Sequence, residues 1–113
     1  AIKEINGIKA IFVKLELDDG GIVKQIADNL QNKYPDCLIF VMSVATDKLL
    51  FVAKANKEIN NKGIMCGNLV KQAALLCGGN GGGRPDFAQA GGKDVSKAAE
   101  VFTLVEGLIK WKH

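Results

Sequence analysis

The sequence CLIFVMSVATDKLLFVAKA, at residues 37–55, decides the fold. Its first eight residues (37–44) are a continuous apolar run of strand length, which is typical of a central strand buried on both faces. A four-residue turn, ATDK at 45–48, separates this run from a second predicted strand at 49–55. Because so short a connection joins antiparallel neighbours, the two strands are predicted to form a hairpin at the centre of a sheet.

A strand and a helix are predicted before this hairpin. Residues 8–17 (IKAIFVKLEL) are rich in β-branched and aromatic residues and partly alternate, which predicts a strand. The turn DDGG at 18–21 offers an N-cap. Apolar residues then recur at spacings of three and four, which predicts an amphipathic helix ending near Lys33. Pro35 disfavours helical conformation at the residue before it and therefore ends this helix.

Two further helices are predicted after the hairpin. One covers residues 64–77 and stops at the glycine pair 78–79, and the other follows an Asp94 N-cap and ends at about Lys110. The segment 80–93 between them is predicted as a loop, with room for a short strand over 87–90. The element order is β-α-β-β-α-(short β)-α. We therefore expect a single α/β domain over residues 1–113, with a mixed β-sheet covered by helices.

Composition limits the chemistry that this chain can perform. The 113 residues suffice for one domain with a real core, and no apolar run reaches the length of a membrane span. The one histidine, His113, is the last residue, so a catalytic triad is not expected. Cys37, Cys66 and Cys77 show no metal-binding spacing and are expected to be small buried hydrophobes in a reducing compartment, the cytoplasm. We predict no catalytic residue, no metal site and no cofactor in this domain.

Positive charge is concentrated in the middle of the chain. The formal net charge is +3, but residues 54–97 carry seven Lys and Arg against three Asp and Glu, a local net charge of +4. Such an asymmetry is typical of a surface that faces a polyanion. The alternative is that these lysines are an ordinary solvated surface, and charge alone does not separate the two interpretations.

The same region is rich in glycine but contains no nucleotide-binding motif. Residues 78–92 hold seven of the 13 glycines, and their spacing fits neither a Walker A loop nor the dinucleotide fingerprint GxGxxG. Glycine backbone, Arg84, Lys93 and the N-terminus of the last helix could together cradle a phosphate. Alternatively, the glycines let a helix and the sheet pack closely, with Arg84 paired to Asp86 or Asp94.

The run GNGGGRPDFAQAGGKD, at 79–94, resembles the signature of the C-terminal domain of alanyl-tRNA synthetases. NKG at 61–63, LVK at 69–71 and VSK at 95–97 fit the same pattern. This domain is shared with the DHH-type phosphoesterases, in which it is an accessory substrate-binding module. Those enzymes typically carry a histidine after the glycine triplet. Arg84 stands there in this sequence, which favours the synthetase branch.

The resemblance implies a non-catalytic domain of a larger enzyme. The parent would be an ATP-dependent ligase that joins alanine to its tRNA, uses ATP, magnesium and zinc in other domains, and edits mischarged tRNA. Its C-terminal domain would contact the outer corner of the tRNA and cooperate with the catalytic and editing domains. In the family a long helical part usually comes first and can mediate oligomerisation. This sequence begins near its first strand, so we expect only weak oligomerisation.

Charge and loop chemistry then predict the residues that contact RNA. Phosphates would be contacted by Arg84, Lys93 and Lys97, and further candidates are Lys62 and Lys71. Close approach of the RNA backbone would be permitted by Gly81, Gly82, Gly83, Gly91 and Gly92. Two other functions stay open at this point. The chain could be a substrate-binding domain of a DHH-type phosphoesterase, or a protein-docking or dimerisation domain.

Overall fold

Six strands form one mixed sheet in the computed structural model, which describes residues 2–112, Lys112 by its backbone alone. The strands are β1 (Lys3–Ile5), β2 (Ile8–Leu15), β3 (Leu38–Val44), β4 (Leu49–Lys54), β5 (Asn80–Gly83) and β6 (Phe87–Gly92). Their order in the sheet is β1-β2-β3-β4-β6-β5. Only β2 and β3 pair in parallel, whereas the other neighbours are antiparallel. The predicted mixed sheet and its central β3–β4 hairpin are confirmed.

In the described part of the chain, four α-helices connect and cover these strands: α1 (Gly20–Lys33), α2 (Lys57–Asn61), α3 (Cys66–Leu76) and α4 (Ala98–Lys112). The turn 18–21 supplies the predicted cap of α1, and Asp94 caps the turn that precedes α4. The Asp19 carboxylate accepts hydrogen bonds from the backbone N–H groups of Gly21 and Ile22, at the start of α1. Asp94 caps a 3-10 turn, Val95–Lys97, that leads into α4. None of the helices in residues 2–112 is long and apolar enough to cross a membrane.

The sheet is packed on both faces, because alternate residues of β3 point to opposite sides. Phe40 and its neighbours on one face join a large core with α3 and α4. Ile39 and Val41 on the other face join a smaller core with Val23 and Ala27 of α1. All seven residues of β3 except Val44 are buried, which confirms the prediction of a central strand covered on both sides.

Two short elements are absent from the sequence prediction. Strand β1 pairs with β2 through the turn Asn6-Gly7, and both turn residues have positive φ (51° and 83°), as a type I′ hairpin turn requires. Helix α2 begins at an Asn56 cap, whose side chain accepts a hydrogen bond from the Ile59 N–H at 2.8 Å. The sequence NNKG at 60–63 favours a loop, but its first two residues end α2.

The prediction of a loop over residues 80–93 is wrong in part. Residues 80–83 form strand β5, which pairs antiparallel with β6. The short strand predicted over 87–90 is confirmed and extends to Gly92. Glycine has a low intrinsic preference for strands, so the sequence pattern favoured a loop. The sequence interpretation of His113 concerns a residue outside those that the structure describes.

Candidate nucleic-acid interface

The glycine hairpin, meaning β5, β6 and the turn 84–86 between them, holds both ends of α3. At the N-terminus of α3, the backbone N–H groups of Cys66 and Gly67 donate to the carbonyls of Pro85 (2.9 Å) and Arg84 (3.2 Å). These two amides have no side-chain cap, so the turn satisfies donors that the helix leaves unpaired. The hairpin is therefore a part of the packed fold as well as a candidate binding element.

The end of β6 and the two residues that follow it hold the C-terminal end of α3 in place. The Cys77 carbonyl accepts hydrogen bonds from the N–H groups of Lys93 and Asp94, both at 2.8 Å. A Cβ atom on Gly79 would lie 1.9 Å from the Gly91 carbonyl oxygen, and one on Gly92 would lie 2.5 Å from the Cys77 Cβ. Only glycine allows such a close approach of two backbones. This is the packing role that the sequence left open for the glycine-rich segment.

The glycines predicted to admit RNA differ in how much space surrounds them. Added Cβ atoms on Gly81 and Gly83 would lie 2.3 Å and 2.8 Å from atoms of β6, so the protein itself fills that space. A Cβ on Gly91 would lie 3.3 Å from the Leu49 carbonyl oxygen. Gly82 has nothing within 4 Å of the corresponding position. Gly82 is thus the member of the triplet whose missing side chain leaves open space.

The predicted cations fall into paired and unpaired groups. Arg84 forms an ion pair with Asp86 at 3.4 Å, as the packing interpretation expected, and its side chain is 73% exposed. Lys97 pairs with Glu100 at 3.6 Å. The exposed residues Lys62, Lys71 and Lys93 have no carboxylate within 4.0 Å in the described part of the chain. These three ammonium groups are free to meet an external anion.

The structure does not gather Arg84 and Lys93 into one phosphate cradle. Arg84 lies at the turn before β6 and Lys93 lies after its last residue. Six strand residues span about 20 Å, so the two cations are at opposite ends of the hairpin. The anion-attracting N-terminus before α4 is already capped by the Asp94 carboxylate. Arg84 and Lys93 would therefore bind two different phosphates rather than share one.

The predicted lysines lie at three separate places on the surface. Lys93 and Lys97 lie together at the start of the last helix, whereas Lys71 lies on the exposed side of α3. Lys62 follows α2 at the turn end of the hairpin, because the Asn60 side chain of that helix donates to the Pro85 carbonyl at 2.8 Å. The candidate surface is therefore extended and offers separated contact points.

A groove beside α1 contains residues that sequence reasoning missed. Phe87 is half-buried, and the Nζ atoms of Lys24 and Lys54 each lie 5.3 Å from its ring centroid. We call this site the α1 groove, and it is lined by Lys24, Gln31, Asn32, Lys54, Arg84 and Phe87, with two carboxylates. Lys24 belongs to the polar side of an amphipathic helix, so no sequence signal distinguishes it from a solvated lysine.

The three cysteines are buried and free, as predicted. Burial raises the pKa of the Cys66 thiol to about 12, and the nearby Asp86 carboxylate adds to this effect. Burial also raises the pKa of Cys37 and of Cys77. Such thiols stay protonated at neutral pH, which makes them poor nucleophiles. Across residues 2–112, no three His, Cys, Asp or Glu side chains form a group that could hold a metal ion.

Comparison with known proteins assigns the chain to a domain family. The DHHA1 domain model matches residues 7–110, and the chain belongs to this family. The solved C-Ala domain of Aquifex aeolicus alanyl-tRNA synthetase has a TM-score of 0.86 and 25% sequence identity. That match covers 97% of this chain and 98% of the Aquifex chain.

The enzymes whose sequences resemble the chain are alanine–tRNA ligases. The chain is 40% identical over 107 residues to the enzyme of Clostridioides difficile and 38% identical over 109 residues to that of Geobacillus kaustophilus. These matches cover 95% and 96% of this chain but 12% of each ligase. The chain thus spans about an eighth of the length of these relatives. The predicted resemblance to the C-terminal domain of alanyl-tRNA synthetases is confirmed.

Proposed function

We propose that this chain is a non-catalytic tRNA-binding module that contacts the outer corner of tRNA. In this role it helps the aminoacylation and editing activities of a parent alanine–tRNA ligase to act on one tRNA. ATP, magnesium and zinc would be used in other domains of that parent, in the cytoplasm. The module itself would need no cofactor. Its partners would be the tRNA and the catalytic and editing domains.

The observation that carries this proposal is the set of free cations around the glycine hairpin. Lys62, Lys71 and Lys93 are exposed and have no carboxylate within 4.0 Å among the described residues. Arg84 is ion-paired but keeps most of its side chain in water. Lysine and arginine side chains of this kind bind nucleic acids by releasing counterions from phosphates.

The separation of the cations favours a folded RNA over a small ligand. Arg84 and Lys93 are about 20 Å apart, which is beyond the reach of one phosphate. Contacts that distant recognise the shape of an RNA through its phosphate positions rather than through its base edges. Gly82 adds a point on the outer strand where an RNA backbone could come close, since no side chain stands there.

The double variant Arg84→Ala/Lys93→Ala tests the proposal. If each residue contacts one phosphate, the slope of log Kd against log salt concentration falls by up to about 1.8. The matched control is Lys14→Ala/Lys33→Ala, because both control residues are exposed lysines outside residues 54–97 and the loss of charge is equal. Equal slopes for the two double variants would show that only net charge matters and would remove Arg84 and Lys93 from the contact surface.

A further inference from the structure

The α1 groove is a polar depression on the face of the sheet that α1 covers. It has a volume of about 420 Å³ and lies between one side of α1 and the end of the sheet where Phe87 begins β6. A volume of this size is within the range of about 300–1,000 Å³ that small-molecule sites have. The groove can therefore hold a sugar-phosphate unit.

The charges along the groove do not cancel. Lys54 donates a hydrogen bond to Asp28, and Arg84 forms an ion pair with Asp86 through Nε at 3.4 Å. Each carboxylate of the groove is thus matched by one cation. Lys24 is the remaining charge, and no carboxylate in the described residues lies within 4.0 Å of it. The groove carries one unbalanced positive charge.

Phe87 holds this unbalanced charge in the groove. The Lys24 Nζ lies 5.3 Å from the ring centroid, within the distance at which a cation is attracted to an aromatic face. Lys54 approaches the same ring to the same distance. Since ammonium groups already occupy the ring, it is not a platform on which a base can stack. The groove is therefore suited to an anion rather than to a nucleobase.

We propose that the α1 groove binds one phosphate group of an RNA strand. This inference rests on the proposed function and adds Lys24 of α1 to the predicted RNA contacts. The Lys24 ammonium and the exposed end of Arg84 would bind the phosphate oxygens. Gln31 and Asn32 line the groove with amide groups, which can donate hydrogen bonds to a phosphate or exchange them with a ribose 2′-OH.

The first test compares Lys24→Gln with Lys33→Gln in binding to an alanine tRNA transcript. Both lysines are exposed residues of α1, and each lies over an aromatic ring, at 5.3 Å from that of Phe87 and 5.6 Å from that of Tyr34. Only Lys24 lines the groove. Loss of one phosphate contact weakens binding by up to about 15-fold at 50 mM salt and about 4-fold at 200 mM. Equal affinities for the two variants would overturn the proposal.

A second test does not use tRNA. Inorganic phosphate is titrated into the isotopically labelled wild-type protein, with sodium chloride of equal ionic strength as the control. We expect amide chemical shifts to move at Lys24 and Phe87 and to be unaffected at Lys33. If tRNA fails to bind the wild type but phosphate shifts these two amides, the proposed function fails and the groove remains an anion site. If phosphate leaves both amides unmoved, the groove assignment is wrong.

Discussion

The substitution Gly79→Ala tests how closely the end of α3 packs against the glycine hairpin. A Cβ atom at this position would lie 1.9 Å from the Gly91 carbonyl oxygen and 2.7 Å from the Gly92 Cα. These are backbone atoms of β6, which is held between β4 and β5 and cannot rotate away. The methyl group must therefore push the end of α3 away from the sheet.

The cost follows from the contacts that this movement breaks. Relieving the contact from 1.9 Å to at least 3.4 Å requires a shift of about 1.5 Å. Lys93 and Asp94 both donate to the Cys77 carbonyl at this point, and each hydrogen bond contributes about 0.5–1.5 kcal/mol. Overpacking adds about 1–3 kcal/mol. We expect a total loss of about 2–6 kcal/mol, a large share of the roughly 5–15 kcal/mol that stabilises a domain.

Urea unfolding followed by circular dichroism measures this loss. For a small domain, m is about 1–3 kcal/mol per molar urea, so the midpoint should fall by at least about 0.7 M. Gly82→Ala is the matched control, because its Cβ meets nothing within 4 Å and its φ is not positive. That variant should stay within about 0.5 kcal/mol of the wild type or gain slightly. A Gly79→Ala protein as stable as Gly82→Ala would refute the packing argument.

Two further predictions concern buried groups. The pKa of Cys66 is about 12 in the folded protein, against 9.0 for an unperturbed thiol. The stabilisation that comes from burying this thiol in its protonated form is therefore fully present below pH 9 and is lost as the pH rises toward 12. Between pH 9 and pH 12, the free energy of unfolding of the wild type should fall by up to about 1.4 kcal/mol per pH unit more than that of Cys66→Ala. Equal slopes of the free energy of unfolding against pH for the two proteins, measured by urea unfolding, would contradict this. Ser43 is buried, and its Oγ accepts from the Leu17 N–H at 2.9 Å and donates to the Leu17 carbonyl at 2.6 Å. Ser43→Ala should therefore cost about 1–2 kcal/mol, and an unchanged thermal midpoint would show that water replaces the hydroxyl.

The long elements could be predicted because their patterns reflect burial. The apolar run that became β3 and the spaced apolar residues of α1 report which faces are covered, and both predictions are confirmed. The short elements lack that signal. Strand β5 is almost all glycine and carries no periodicity, so its sequence predicts a loop. Local signals for β1 and α2 were present, in the Asn6-Gly7 turn and the Asn56 cap.

The candidate site was less predictable, because tertiary contacts decide which residues share a surface. Arg84 and Lys93 are close in sequence, yet the strand between them sets them at opposite ends of the hairpin. Lys24 and Phe87 are 63 positions apart in the numbering, and only the packing of α1 across the sheet brings them together. The family signature at 79–94 could be recognised from the sequence. Its role in holding α3 could not, because it depends on hydrogen bonds at both ends of that helix.

The most direct test of the proposed function is a binding titration of the wild-type domain with an alanine tRNA transcript. It should be made at 50 and 200 mM salt, with a DNA duplex as competitor. Recognition of a folded RNA through separated phosphate contacts predicts salt-sensitive binding that the duplex competes for only weakly. Equal affinity for the duplex would reduce the surface to a general basic one. Absence of binding at 50 mM salt would contradict tRNA binding by this domain.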